Sequence, residues 1–128
     1  MFIYEKKLQF PVKIKTPNPK LAAAIISQYG GPDGELGASL RYLSQRYSMP
    51  YPALKGLLTD IGTEELGHME MVAAVVHQLT RNLTPQQVKE AGFDAYFVDH
   101  TTGVYPQFAS GYPWSAATMQ VTGDVIAD

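Results

Sequence analysis

The stretch DIGTEELGHMEM, residues 60–71, sets carboxylates and an imidazole into a segment that otherwise reads as an apolar helix. Steps of four and three through this region give Leu54, Leu58, Ile61, Glu65, His68, Val72, Val76 and Leu79, a single stripe expected to face the interior. Glu65 and His68 lie inside that stripe. A buried carboxylate without a partner costs on the order of several kcal/mol, so its retention implies a partner. Three partners fit the residue types. His68 and Glu65 can satisfy each other as a structural pair. They can act as acid and base on an organic substrate, although no nucleophile signature accompanies them. Or they can hold a metal, because Glu-x-x-His projects a carboxylate and an imidazole to the same side, one turn apart. Carboxylate-bridged dimetal sites in helix bundles use that arrangement, and there a further helix adds a lone glutamate.

The preceding helical stretch contains such a residue. Leu36, Leu40, Leu43 and Tyr47 form its expected apolar stripe, with Glu35 and Tyr42 together along an adjoining edge. Glu35 near a helix start also suits the macrodipole, and alone that explanation would suffice. Beside Glu65 and His68 it becomes a candidate third ligand. Tyr42 is placed where a phenol can support a ligating carboxylate. Glu64 and Glu70 fall on other helix faces and are expected to be solvated or paired. His77 and His100 are isolated.

The elements that must position these residues can be read from punctuation. Residues 2–14 alternate weakly and are interrupted by Pro11, which predicts an extended arm or edge strand. Asn18-Pro19 opens a helix to about residue 29. The sequence YGGPDG interrupts it, and Asp33 is expected to cap a second stretch from about 34 to 47. Prolines 50 and 52 close that helix. The next is expected over about 53–81, followed by a capping box at Thr84 to Gln87 with Gly92 as its stop. Residues 93–124 are rich in aromatics, glycine and proline without a period, predicting an ordered loop with one short element near 115–122.

At 128 residues and 45 % hydrophobic content, the chain is expected to be a single domain able to bury a core. It has no cysteine, which excludes disulfides, thiolate metal sites and a cysteine nucleophile. A net charge of -2 without a basic block argues against nucleic acid or anionic lipid as partner. The amino-terminal residues lack the apolar core of a signal peptide, and no segment has the length and apolarity of a membrane span, so no membrane association is expected.

SQYGGPDGELGASLRYLSQRY together with GLLTDIGTEELGHMEM strongly resembles the manganese catalase family, most closely its short spore-coat (CotJC-type) branch. The opening MFIYEKKLQFPVKIKTPNP and the closing GDVIAD resemble that branch too, so the likeness covers the whole chain. The resemblance implies an all-α fold: a ferritin-like four-helix bundle to which this chain supplies two long helices, an amino-terminal arm and the aromatic-rich loop. It implies two manganese ions, with iron as the alternative the ligands do not exclude, disproportionating hydrogen peroxide to dioxygen and water. In that family pattern Glu35 is a terminal ligand, His68 the imidazole on the same ion, Glu65 the bridging carboxylate and Tyr42 an outer tyrosine. The family carries a second Glu and a second Glu-x-x-His beyond the equivalent of GDVIAD, so residues 1–128 are expected to be the amino-terminal portion of such a domain. Two other readings stay open: a spore-coat assembly component without activity, and a two-helix chain that pairs with its copy to build a dimetal site. The resemblance further implies a homo-oligomer, located in the bacterial cytoplasm or the spore coat, with other coat proteins as further partners.

Overall fold

The computed structural model describes residues 3–93 and 106–128. Its described helices are α1 (Pro19–Gly30), α2 (Glu35–Gln45), α3 (Pro52–Thr80) and α4 (Pro85–Glu90), with a 3₁₀ turn at Ala116–Thr118. No strand occurs among the described residues, only one bridge between Gln107 and Pro113. No described helix is long and apolar enough to cross a membrane.

The helix boundaries follow their capping chemistry. Asn18 accepts a hydrogen bond from Leu21 N at 3.0 Å, with Pro19 at the first helical position. Thr84 and Gln87 form the reciprocal capping box of α4, and Gly92 leaves that helix at φ 68°. The expected Asp33 cap does not form. The N-cap of α2 is Gly34, and Asp33 faces solvent, where it pairs with Arg41 at 3.3 Å. Gly34 is required by space, because a Cβ there would meet Ser27 O at 2.6 Å and Gln28 O at 2.8 Å. The second helix is also shorter than expected. It stops at Gln45, leaving Tyr47 79 % exposed beneath Arg46 instead of in an apolar stripe.

Helices α1 and α2 both pack on α3 and are joined by the turn at residues 31–34. Their direction is antiparallel to α3. Ala22 and Ile26 of α1 share a core with Val76 and Leu79 near the end of α3, closed by Val88 and Phe93. Ser39 of α2 instead meets the middle of α3, donating to Gly62 O at 2.6 Å in a buried contact. A Cβ on Gly62 would lie 2.9 Å from Leu43 Cγ, so the bare glycine sets the close approach of α2 to α3.

Of the two expectations for residues 2–14, an extended arm or an edge strand, the described part is the arm, without ladder partners. Side chains of α3 hold it instead: Tyr4 Oη donates to Glu70 at 2.8 Å, and Gln78 bonds both Val12 O and Ile14 N at 2.8 Å. Its absence from a sheet follows from Pro11 and from the lack of any neighbouring strand among the described residues.

Candidate metal centre

The broken first helix is what delivers Glu35. After the 31–34 turn, α2 restarts with Glu35 as its first residue, opposite the turn of α3 that carries Glu65 and His68. One donor atom from each of the three lies within 4.8 Å of the others. His68 Nδ1 is 2.6 Å from Glu65 Oε2 and 3.9 Å from Glu35 Oε2. At 2.6 Å two lone pairs cannot face each other, so a proton lies between Nδ1 and the carboxylate.

The stripe holding Glu65 and His68 is less enclosed than its periodicity implies. Of its eight positions only Val76 and Leu79 are buried, while Leu54, Leu58, Ile61 and Val72 stay half-exposed. The Glu65 side chain is 15 % exposed, Glu35 25 % and His68 34 %. The cost of placing charge here is therefore that of a half-wet cleft rather than of a dry interior. Burial pushes the Glu35 carboxyl above its ordinary range, the hydrogen bond and charge of Glu65 push it further, and His68 opposes them. The favourable macrodipole at the start of α2 is outweighed, because desolvation and a like charge both penalise the ionised form. Two carboxylates drawn together with nothing between them but a histidine are short of positive charge.

The donor set suits a hard or borderline divalent cation. Two carboxylates and one imidazole match manganese or iron, and nothing here is soft enough to favour copper(I). A cation between them would offset the repulsion that raises Glu35 and take the place of the proton at His68 Nδ1.

The other sequence candidates divide. Tyr42 sits where α2 meets α3, its Cβ beside Gly62, and its hydroxyl makes no hydrogen bond to a described residue. Glu70 is paired with Tyr4, His77 is exposed, and His100 lies outside the described residues. Glu64, read from the sequence as lying on another face, approaches this group after all: its Oε1 is 3.9 Å from His68 Nε2 and accepts from Gln9 Nε2 at 3.4 Å. The i, i+4 spacing of Glu64 and His68 is the signal that could have revealed it. Gln9 had no such signal, since it lies 55 residues from Glu64 in the sequence.

Residues 1–128 match the sequence family described as manganese containing catalase. The chain is 53 % identical over 128 residues to Protein CotJC of Bacillus subtilis, covering all of this chain and 67 % of that protein. It is 41 % identical over 132 residues to a protein of Clostridium acetobutylicum named "Probable manganese catalase", covering 58 % of it. Among solved structures, the manganese catalase KatB from Anabaena superposes with a TM-score of 0.83 at 31 % identity, over 98 % of this chain and 56 % of that one. The chain thus spans between about half and two thirds of the length of these relatives. Its helices follow the ferritin-like bundle of that structure.

Proposed function

Because this chain belongs to the manganese catalase family, we propose that Glu35, Glu65 and His68 are ligands of a dimanganese centre that disproportionates hydrogen peroxide to dioxygen and water. The observation that carries the reading is the convergence of three donor atoms from two separate helices to within 4.8 Å. Structural pairing alone would account for Glu65 and His68, but it leaves Glu35 unexplained, since bringing a second carboxylate to the same place costs energy.

When bound, two manganese ions supply the two-electron change that peroxide disproportionation needs, converting two peroxide molecules into one dioxygen and two waters. The residues do the rest. Glu65 would be the carboxylate held in common by the two ions, and Glu35 and His68 would hold one of them, with Nδ1 as the ligating nitrogen because it is the ring atom 2.6 Å from Glu65 and 3.9 Å from Glu35. The exposed third of the His68 side chain leaves a route for a molecule as small as peroxide. Tyr42, whose Cβ lies beside Gly62 where α2 meets α3, is assigned the role of supporting a ligating carboxylate. Three donors do not complete two ions, so further ligands come from beyond the described residues, either from the remainder of a longer four-helix domain or from a second copy in a homo-oligomer. Iron in place of manganese is the alternative that the donor set allows.

A second reading is favoured by the 53 % identity to CotJC, above the identities to the catalases. In it the chain is a spore-coat component, located there with other coat proteins, in which the site is inherited but activity is low or absent. Native mass spectrometry of protein supplied with Mn(II), combined with oxygen evolution from peroxide, separates the readings. Bound Mn(II) and oxygen release that both disappear in Glu65→Gln support the enzyme. Bound metal without oxygen release supports the coat component, and no metal at all refutes the centre.

A further inference from the structure

His68 has two ring nitrogens in two different settings. Nδ1 faces the proposed centre, 2.6 Å from Glu65 and 3.9 Å from Glu35, while Nε2 faces away from it, 3.9 Å from Glu64 Oε1. If Nδ1 is to bind a cation, its proton must leave, and the neutral ring then carries its remaining proton on Nε2. The acceptor nearest to hand is Glu64. Its side chain is 56 % exposed, so rotation about its own bonds can shorten the 3.9 Å separation without moving the helix.

Glu64 is itself held from outside the helix. Gln9 Nε2 donates to the same Oε1 at 3.4 Å, and the arm carrying Gln9 is fixed on either side, by Tyr4 on Glu70 and by Gln78 on Val12 and Ile14. The arm crosses α3 at Gly67, where a Cβ would lie 3.3 Å from Gln9 Oε1. An unadorned helix position under Gln9, the described arm residue that hydrogen-bonds Glu64, keeps that reach short. A merely solvated Glu64 needs none of these contacts.

We propose that Glu64 is a positioning residue that accepts the Nε2–H of His68 and so fixes the ring with Nδ1 toward the metal, and that Gln9 of the amino-terminal arm holds Glu64 in that orientation. The arm is thereby part of the support of the centre and not only a cover for α3. This rests on the metal reading above. A histidine ligand whose second nitrogen is held by a carboxylate is more basic and better oriented, and losing such a partner typically weakens metal binding about 10–100-fold.

The test is Mn(II) affinity, measured by the free-ion electron paramagnetic resonance signal, on the full chain and on Glu64→Ala, Glu64→Gln, Gln9→Ala and Glu65→Gln, with the melting temperature of each metal-free protein alongside. Glu64→Ala is expected to weaken binding about 10–100-fold. Glu64→Gln should stay within about threefold of wild type, since an amide oxygen accepts the same bond. Gln9→Ala should fall in between, all with metal-free melting temperatures close to wild type. Equal affinities for wild type and Glu64→Ala would overturn the proposal, and so would equal losses in Glu64→Ala and Glu64→Gln, which would point to charge instead of a directed bond. Glu65→Gln separates the two levels: if it binds Mn(II) as wild type does, the metal reading fails, whereas if it loses Mn(II) while Glu64→Ala does not, only the role of Glu64 fails. A wild-type chain that takes up no Mn(II) overturns both.

Discussion

Glu35→Gln should stabilise the metal-free protein and abolish most of its response to manganese. The donor atoms lie within 4.8 Å of one another, and two unit charges at that distance repel by about 3.5 kcal/mol at an effective dielectric of 20 and by about 0.9 kcal/mol in water. Both side chains keep some contact with solvent, and His68 offsets part of the repulsion, so a gain of about 1 kcal/mol at neutral pH is expected. For a chain of 128 residues that corresponds to a rise of about 4 °C in Tm. The sign with pH is fixed. Glu35 has its carboxyl raised in the folded state, so the fold gains stability as pH falls through that raised value. The gain is complete below 4.5, its ordinary value, where folded and unfolded chains are both protonated. The advantage of Glu35→Gln should therefore shrink as the solution is acidified and vanish below that point. With Mn(II) at a hundred times its Kd the wild type should gain about 2.7 kcal/mol, or about 10 °C, and the variant far less. Differential scanning calorimetry with and without Mn(II), at neutral and acid pH, reads all of this. A variant less stable than wild type when metal-free at neutral pH, or equally stabilised by Mn(II), would refute the argument.

Gly62→Ala should gain about 1 kcal/mol of helix propensity but lose more by forcing Leu43 away. Overpacking of this kind costs about 1–3 kcal/mol, and because it separates α2 from α3 it should also weaken Mn(II) binding, which calorimetry and metal titration can check. Ile26→Ala removes a fully buried side chain from the core near the end of α3, which contains none of the three donors, and should cost about 2–5 kcal/mol in urea unfolding, with unchanged Mn(II) affinity in the folded protein. Gly67→Ala meets only the flexible end of Gln9, so it should raise the metal-free stability by up to about 1 kcal/mol in thermal melts. Asn18→Ala should cost about 1 kcal/mol, seen in the same melts, by removing the acceptor for Leu21 N.

The helices and the metal-type residues were legible in the sequence because their signals are local. Pro and Asn at the start of α1, the capping box of α4 and the long periodic run of α3 act over a few residues, and each appears in the structure within a residue or two of its expected position. Glu65 and His68 share a face by spacing alone. What the sequence could not show depends on tertiary approach. The cap of α2 went to Gly34 instead of Asp33 because α1 passes too close for a side chain, a steric fact that involves Ser27 and Gln28. Tyr47 continued the apolar period of α2, but the helix had already ended at Gln45. The stripe on α3 was expected to face an interior, and of its eight positions only Val76 and Leu79 are buried, where Ala22, Ile26, Val88 and Phe93 pack with them.

The uneven covering bears on how the centre was assembled. Stability is concentrated where Ala22, Ile26, Val76, Leu79, Val88 and Phe93 pack, while the carboxylates lie toward the less covered part of α3. A buried core near the end of α3 can tolerate like-charged groups at its middle, since those groups need only be held at a distance that the core and the Ser39–Gly62 contact already set. If the ligands were merely structural, the mutual repulsion of Glu35 and Glu65 would subtract from stability without compensation, and replacing Glu35 by an amide would carry no cost. Its retention follows if the occupant is a cation, which turns the same repulsion into affinity. The third donor is therefore decisive: Glu65 and His68 can satisfy each other, but Glu35 has reason to be there only when positive charge joins them.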